Sequence, residues 1–473
     1  MRVRNGGALV WLALLASGCG GLAMESHAVT AQACPPGAAS RTRVVNPPGA
    51  SVNTHLEGLT DVQGMLYFTL AAPGGGTGLW RSDGTEAGTV QVRSFPAGVF
   101  AEGTPAAVGN TLFFQLADSA TGMVHLWTSD GTSTGTRFIK AFTPDVNGPA
   151  LRAVTALHGR LVFFHLGASG GPALWSSDGT SAGTVLLANL PGVLGLYFDQ
   201  TLRVGDALLF FRSQGGATTL WRTDGTQAGT MSLKQLDAGT VSIQQVGRAG
   251  DQGLFVLRDG SNDEVWKTNG SAAGTLRLDT FGQRVRLVGG LGSKVYVAQA
   301  ARLYSLSLSG GGRTLVTTLP RDNPDQLPAV LRTAASGDSL YFSVGLNGLS
   351  PVPDDVRLWV TNGTAAGTRE LFRSLHRNDT SYSPVFATGT GAVLFTGSPD
   401  GTANRPWFTR GTTATTGQLA KVTVPVVLGL GPEPFVRAGG RVFFPATDDT
   451  GLEQLWSVPA SFSCPPGAAA ESL

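Results

Sequence analysis

Several groups of residues have the types and spacing for chemistry. Gly167-Ala168-Ser169-Gly170-Gly171 fits the Gly-x-Ser-x-Gly pattern of a serine nucleophile. That chemistry needs a sharp strand-to-helix turn that lifts the hydroxyl toward a base. Here an apolar strand, Ala173-Leu174-Trp175, follows at once, so the segment reads as a hairpin loop. Gly74-Gly75-Gly76-Thr77-Gly78 lacks the Gly-Lys-Ser/Thr that completes a phosphate cradle, and it reads as a second hairpin loop. His55, His125, His158, His165 and His376 are scattered without metal-ligand spacing. His165 continues an apolar strand and reads as a satisfied core or channel residue. Asp354-Asp355 and Asp448-Asp449 are adjacent acids of the kind that sit solvated on loops, whereas glycoside cleavage needs two carboxyls facing across a sugar bond. No catalytic residue, metal ligand or cofactor is therefore assigned.

The elements carrying these residues are repeats. Leu79-Trp80-Arg81-Ser82-Asp83-Gly84-Thr85-Glu86-Ala87-Gly88-Thr89 returns as LWTSDGTSTGT from Leu126, LWSSDGTSAGT from Leu174, LWRTDGTQAGT from Leu220, VWKTNGSAAGT from Val265 and LWVTNGTAAGT from Leu358. Worn copies lie at Pro406 and Leu455, and Tyr304 takes the aromatic slot of another. Trp80, Trp127, Trp175, Trp221, Trp266, Trp359, Trp407 and Trp456 fill the same position, and the ninth tryptophan, Trp11, precedes the array. With slots about 47 residues apart on average, the pattern is that of a repeat architecture. Asp83, Asp130, Asp178 and Asp224 stand in Asp-Gly turns, where both residue types tolerate positive φ and need no ligand. One carboxylate per turn is far below the oxygen count of a calcium site.

A glycine-led apolar run such as Gly64-Met65-Leu66-Tyr67-Phe68 or Gly159-Arg160-Leu161-Val162-Phe163-Phe164 precedes every aromatic slot, and its shortness makes it a strand rather than a buried helix. Each unit reads as four strands. Adjacent Leu79 and Trp80 must point to opposite faces of their strand, so both faces need cover. Sheets stacked around an axis supply it. The sequence thus predicts an all-β fold, a β-propeller of about nine four-stranded blades with the indoles as interior packing. The last unit lacks its outer strand, and Arg41-Thr42-Arg43-Val44-Val45 resembles the missing one, so an N-terminal strand should complete the last blade and remove an exposed edge.

Residues 1–18 have the charged start, short apolar core and small-residue end of a secretory signal, too short to span a bilayer. Residues 19–33 read as a flexible tether and 34–473 as a single propeller domain. Without Arg2 and Arg4, the 34 basic residues become 32 against 32 acidic ones, which gives no field toward nucleic acid. Cys34 and Cys464 occupy nearly identical Cys-Pro-Pro-Gly-Ala-Ala settings at the two ends of the array. In an exported protein they invite a bridge across the closure, the alternative being two free or intermolecular thiols.

Leu15-Ala16-Ser17-Gly18-Cys19 resembles the bacterial lipobox, which implies lipidation at Cys19 and a membrane anchor; ordinary secretion is the alternative. Gly20, rather than Asp, implies an outer-membrane address. Over residues 42–458 the repeats resemble the bacterial ELWxxDGT repeat proteins, an exported and often lipid-anchored group, with the opening Glu always replaced here. The turn is also similar to the structural Asp-box of sialidase-like propellers. The resemblance implies a monomeric ring at the cell envelope that binds or scaffolds an envelope protein or glycan. The other readings are a propeller enzyme acting on extracellular glycans and a quinone-cofactor dehydrogenase, for whose calcium site no ligands are found. The loop from aromatic strand to Leu-Trp strand varies most, and Gly345 to Arg357 is the longest. These loops share a face with the connectors between units, opposite the Asp-Gly turns.

Overall fold

The computed structural model describes residues 39–461, apart from 48, 51–53, 73, 146–148, 168–170, 191–199, 215, 238–240, 325, 348–354, 374, 376, 379–380, 383, 400, 402 and 426–433. Nine four-stranded antiparallel sheets follow one another in chain order, accompanied by a two-stranded hairpin at Arg377–Asn378 and Ser381–Tyr382. In blade 1 the strands run from the axis outward as Leu56–Val62, Met65–Ala72, Gly76–Ser82 and Val90–Ser94. Blades 2 to 8 occupy 99–142, 151–189, 202–237, 241–282, 285–318, 327–372 and 385–418. Blade 9 takes Val436–Ala438, Arg441–Thr447 and Glu453–Pro459 from the C-terminal end, and its outermost strand, Ser40–Arg43, from the other end of the ring. The chain is a nine-bladed propeller closed by its N-terminal strand.

No blade has a core of its own. The buried apolar residues form nine clusters, each lying between two neighbouring blades; Leu66 and Phe68 of blade 1 join Phe443 and Leu455 of blade 9 in the one that closes the ring. Within the repeat, Leu and Trp face opposite junctions. Leu79 packs toward blade 2 and Trp80 toward blade 9, while Leu126 packs toward blade 3 and Trp127 toward blade 1. The expectation that the indoles are interior needs correcting. The leucine slot is closed to water throughout, with Leu79, Leu174, Leu220, Leu358 and Leu455 at 0% exposure. Among the described tryptophans only Trp359 is buried; the others keep an edge in water.

Two sequence features support this packing. Each indole stands directly across from an aromatic on the second strand, as Phe68 from Trp80 and Phe255 from Trp266, stacked at 5.8 Å and 9° in the latter pair. Such cross-strand pairs stabilise a sheet beyond the area they cover. Opposite Leu79-Trp80 the outermost strand carries a bulge, since Leu79 pairs with Arg93 and Trp80 with Gln91. The extra residue, Val92, turns into the junction with blade 2. Blades 2 to 7 repeat the bulge, with Ile139, Leu187, Leu233, Leu278, Val316 and Leu371 in the same place.

Candidate functional site

The Asp-Gly turn is built from its own side chains. The Asp83 carboxylate accepts from the Thr85 N–H at 2.8 Å and the Thr85 hydroxyl at 2.7 Å, and the Thr85 Oγ1 accepts from the Gly88 N–H at 2.9 Å. Ser82 and Thr89, both at 0% exposure, share a hydrogen bond of 2.7 Å beneath the turn. Gly88 leaves room for the carboxylate, because a Cβ there would lie 2.1 Å from Asp83 Oδ1. Gly84 has φ +92° and is also where blade 9 presses on the turn, a Cβ meeting Arg441 Cδ at 2.3 Å. The network recurs at Asp130, Asp178 and Asp224, and with asparagine at Asn269 and Asn362. The Thr hydroxyl, then the Thr N–H, hold the Asp83, Asp130 and Asp178 carboxyls below the usual range, and the Thr226 hydroxyl does the same for Asp224. In the worn copy Arg410 replaces the acid, and a short 3-10 turn at Thr413–Thr415, capped by Thr412, takes its place.

Charged and amide side chains tie each blade to the next. Arg93 donates to the Thr136 carbonyl at 2.7 Å, Lys234 to that of Thr275 at 2.6 Å, and Arg43 on the closing strand to that of Thr89 at 2.6 Å. The N-terminal strand therefore makes the same bond as an outer strand in mid-array. Two buried acids pin innermost strands. Asp263 accepts the Val285 N–H at 2.9 Å and Arg258 Nε at 2.8 Å, while Glu453 accepts the Leu56 N–H at 2.6 Å. Gln115 bridges Leu151, and Gln454 bridges Val45 and Asn46, in the same manner.

Of the acids read as solvated, Asp449 is exposed, but Asp448 and Asp355 are held in ion pairs. Asp448 is almost closed to water and pairs with Arg41 at 2.8 Å, fastening the closing strand. Asp355 bonds Arg357 Nε at 2.8 Å, and Arg357, at 2% exposure, also pairs with Asp322 and with Glu370 at 3.5 Å. A guanidinium surrounded by three carboxylates, with Arg373 on Glu370, is a pin for the connector between blades 6 and 7. Asp354 lies outside the described residues. His165 Nε2 donates to the Thr143 carbonyl at 3.1 Å, and the ring packs on Phe142. The strands flanking Ser169 pair with Gly167 opposite Gly171, the hairpin that the sequence indicates. Ser169, His376, Cys19, Cys34 and Cys464 lie outside the described residues. Among those described, no three His, Cys, Asp or Glu side chains are placed to hold a metal.

What remains is the lining of the axis, which the repeat pattern did not single out. On adjacent innermost strands stand Glu57 and Glu102, at equivalent registers across from Thr69 and Gln115. Burial pushes the Glu57 carboxyl up; the nearby His55 opposes this, and Glu453 adds a smaller push upward. Burial also raises Glu102, which accepts the Ala150 N–H at 3.0 Å and feels Asp145. The same register on blade 3 holds Arg152, paired with Asp145 at 2.5 Å. Acids thus mark blades 1 and 2, and arginines, including Arg203, Arg248, Arg286 and Arg332, mark the innermost strands of blades 4 to 7.

No protein-family model matches the sequence, and no curated protein does. Among solved structures, a prolyl endopeptidase is similar over 75% of this chain at 12% identity and a TM-score of 0.41; the chain spans 54% of its length. An oligogalacturonate lyase from Vibrio parahaemolyticus is similar over 76% of this chain and 98% of its own, at 11% identity and a TM-score of 0.41. The β-propeller domain of the Trilobed protease from Pyrococcus furiosus is similar over 78% and 98%, at 11% and 0.36. These are likenesses of fold, and the chain is a β-propeller.

Proposed function

We propose that this chain is an exported, lipid-anchored propeller of the ELWxxDGT repeat group, held at the outer membrane through Cys19, stapled across its closure by Cys34 and Cys464, and acting as a monomeric ring that binds or scaffolds an envelope protein or glycan. One observation supports it above others. The polar residues of the repeat are engaged in holding turns and neighbouring blades together, which leaves the connector-face loops and the axis lining as the places that differ from blade to blade. A pull-down of envelope proteins and glycans by the ring, residues 34–473, tests the reading; loss of the captured partner on shortening the 345–357 loop is expected. Capture of nothing, or of the same set by the shortened ring, counts against it. Replacement of Cys19 by Ser should abolish lipid labelling, and a thiol-specific mass tag should find Cys34 and Cys464 protected until reduction.

A second reading, an enzyme that cleaves extracellular glycans, is favoured by Glu57 and Glu102, two carboxyls raised in pKa on neighbouring innermost strands. Release of reducing ends from envelope polysaccharide, lost in both Glu57→Gln and Glu102→Gln, would support it; no release by the native ring would remove it.

A further inference from the structure

We propose that a cavity between blades 5, 6 and 7 binds a small hydroxylated carboxylate, its anionic group held by Arg248. The cavity measures ≈330 Å³, at the lower end of the sizes that enclose small ligands. It is walled by the innermost strands Val241–Ala249, Val285–Leu291 and Leu327–Ser336, through Gly247, Arg248, Gly289, Gly290, Thr333 and Ala335 among others. Each of these strands is paired on one side only, so the other edge carries backbone N–H and C=O groups without a strand partner. Where the wall residue is glycine or alanine, no side chain shields them.

The glycines alone say nothing about a ligand. A Cβ on Gly290 would fall 2.3 Å from Ala249 Cβ, and one on Gly289 would fall 2.7 Å from Leu340 Cδ2, so close strand packing already requires both. The argument lies in what the space contains. Arg248 is exposed and makes no hydrogen bond or ion pair among the described residues. The arginines of neighbouring innermost strands differ: Arg152 is paired with Asp145, Arg203 donates to the Ala156 carbonyl and Arg437 to that of Thr388. No acid occurs on any of the three walling strands. The nearest acids along the chain, Asp251 and Asp338, are exposed in the turns that follow. An uncommitted guanidinium selects a carboxylate, and bare strand edges suit hydroxyl groups that both donate and accept. An apolar molecule would leave those edges unsatisfied. The cavity belongs to the axis lining, apart from the 345–357 loop, so either proposal can fail without the other.

The test is calorimetric titration of the full chain with D-glucuronate and with D-glucose, a pair that differs in the carboxylate. One saturable glucuronate site is expected, with glucose at least about tenfold weaker. Arg248→Gln should bring glucuronate down to the level of glucose. Ala335→Phe, at an exposed wall position, should abolish both, with melting midpoints checking that each variant is folded. Absence of a saturable glucuronate site in the native chain, or binding unchanged in both variants, overturns the proposal.

Discussion

Trp175 and Trp266 occupy the same slot in blades 3 and 5, Trp175 edge-on to Phe142 and Trp266 stacked on Phe255, and their indole N–H groups are satisfied differently. Each has a lysine above its ring at 5.7 Å, Lys140 and Lys234, and each faces a phenylalanine across the strand pair, Phe163 and Phe255. The Trp266 Nε1–H donates to Glu264 at 2.9 Å, whereas the Trp175 Nε1–H is buried with no partner among the described residues. Replacement by Phe costs both sites the same loss of ring area, roughly 40–60 Å² or about 1–1.5 kcal/mol. At Trp175 the change also removes an unsatisfied donor, a relief of about 1 kcal/mol that brings the total near zero. At Trp266 it instead removes a bond to a carboxylate, a further cost of about 1.5–3 kcal/mol. Glu264 keeps Arg277 at 2.5 Å and is not left alone. Trp266→Phe should therefore destabilise the ring by at least about 2 kcal/mol more than Trp175→Phe, read as the difference in urea midpoint at constant slope. Equal midpoints would refute the claim that the slot is set by its hydrogen bonding as well as by its area.

Gly183→Ala places a Cβ 2.0 Å from Asp178 Oδ1 and should break both bonds to Thr180, costing about 1–3 kcal/mol in urea titration, while Asp178→Asn should be nearly neutral because Asn269 and Asn362 hold the same geometry. Glu57 and Glu102 have folded-state pKa values raised above those of the unfolded chain, so ionising them disfavours folding above the folded pKa, and that penalty disappears as pH falls below the unfolded value near 4.3. Glu57→Gln and Glu102→Gln should each raise the melting midpoint at pH 7 and leave it unchanged near pH 3. Arg43→Ala and Arg93→Ala remove equivalent carbonyl bonds and should cost alike, about 1–2 kcal/mol by the same titration; a much larger loss for Arg43 would show that the closure is weaker than an ordinary junction.

The blade count and the closure were legible because they are written in chain-local signals: the Leu-Trp pair, the Asp-Gly turn and a last unit short of one strand. Which member of the Leu-Trp pair is sealed from water was not, since both are large and apolar and only the junction each one faces separates them. Val92 and its counterparts could have been noticed as an apolar residue in the outer strands of blades 1 to 7, but the bulge that turns them inward shows only in the register. Asp448 and Asp355 were misread for a related reason. The partner of Asp448, Arg41, comes from the far end of the ring, and Arg357, which holds Asp355, is itself fixed by Asp322 and Glu370 from outside its strand. Glu57, Glu102 and Arg248 lie on innermost strands, the least repetitive part of each unit, so no departure from a pattern marked them.

Because Leu and Trp of one repeat face different junctions, lesions should propagate by junction and not by blade. Leu174 lies in the cluster between blades 3 and 4 together with Trp221, whereas Trp175, its chain neighbour, belongs to the cluster between blades 2 and 3 together with Leu126. Leu174→Ala leaves a void in a site that is 0% exposed and costs about 2–5 kcal/mol. Adding Trp221→Ala enlarges that void and lets the same junction relax, so the two changes should couple by about 0.5–3 kcal/mol. Adding Trp175→Ala opens a different junction, and the costs should sum to within about 0.5 kcal/mol although the residues are adjacent in the chain. Double-mutant cycles in urea decide the matter. Stronger coupling for 174 with 175 than for 174 with 221 would mean that each blade carries its own core, contrary to the nine clusters shared between neighbours.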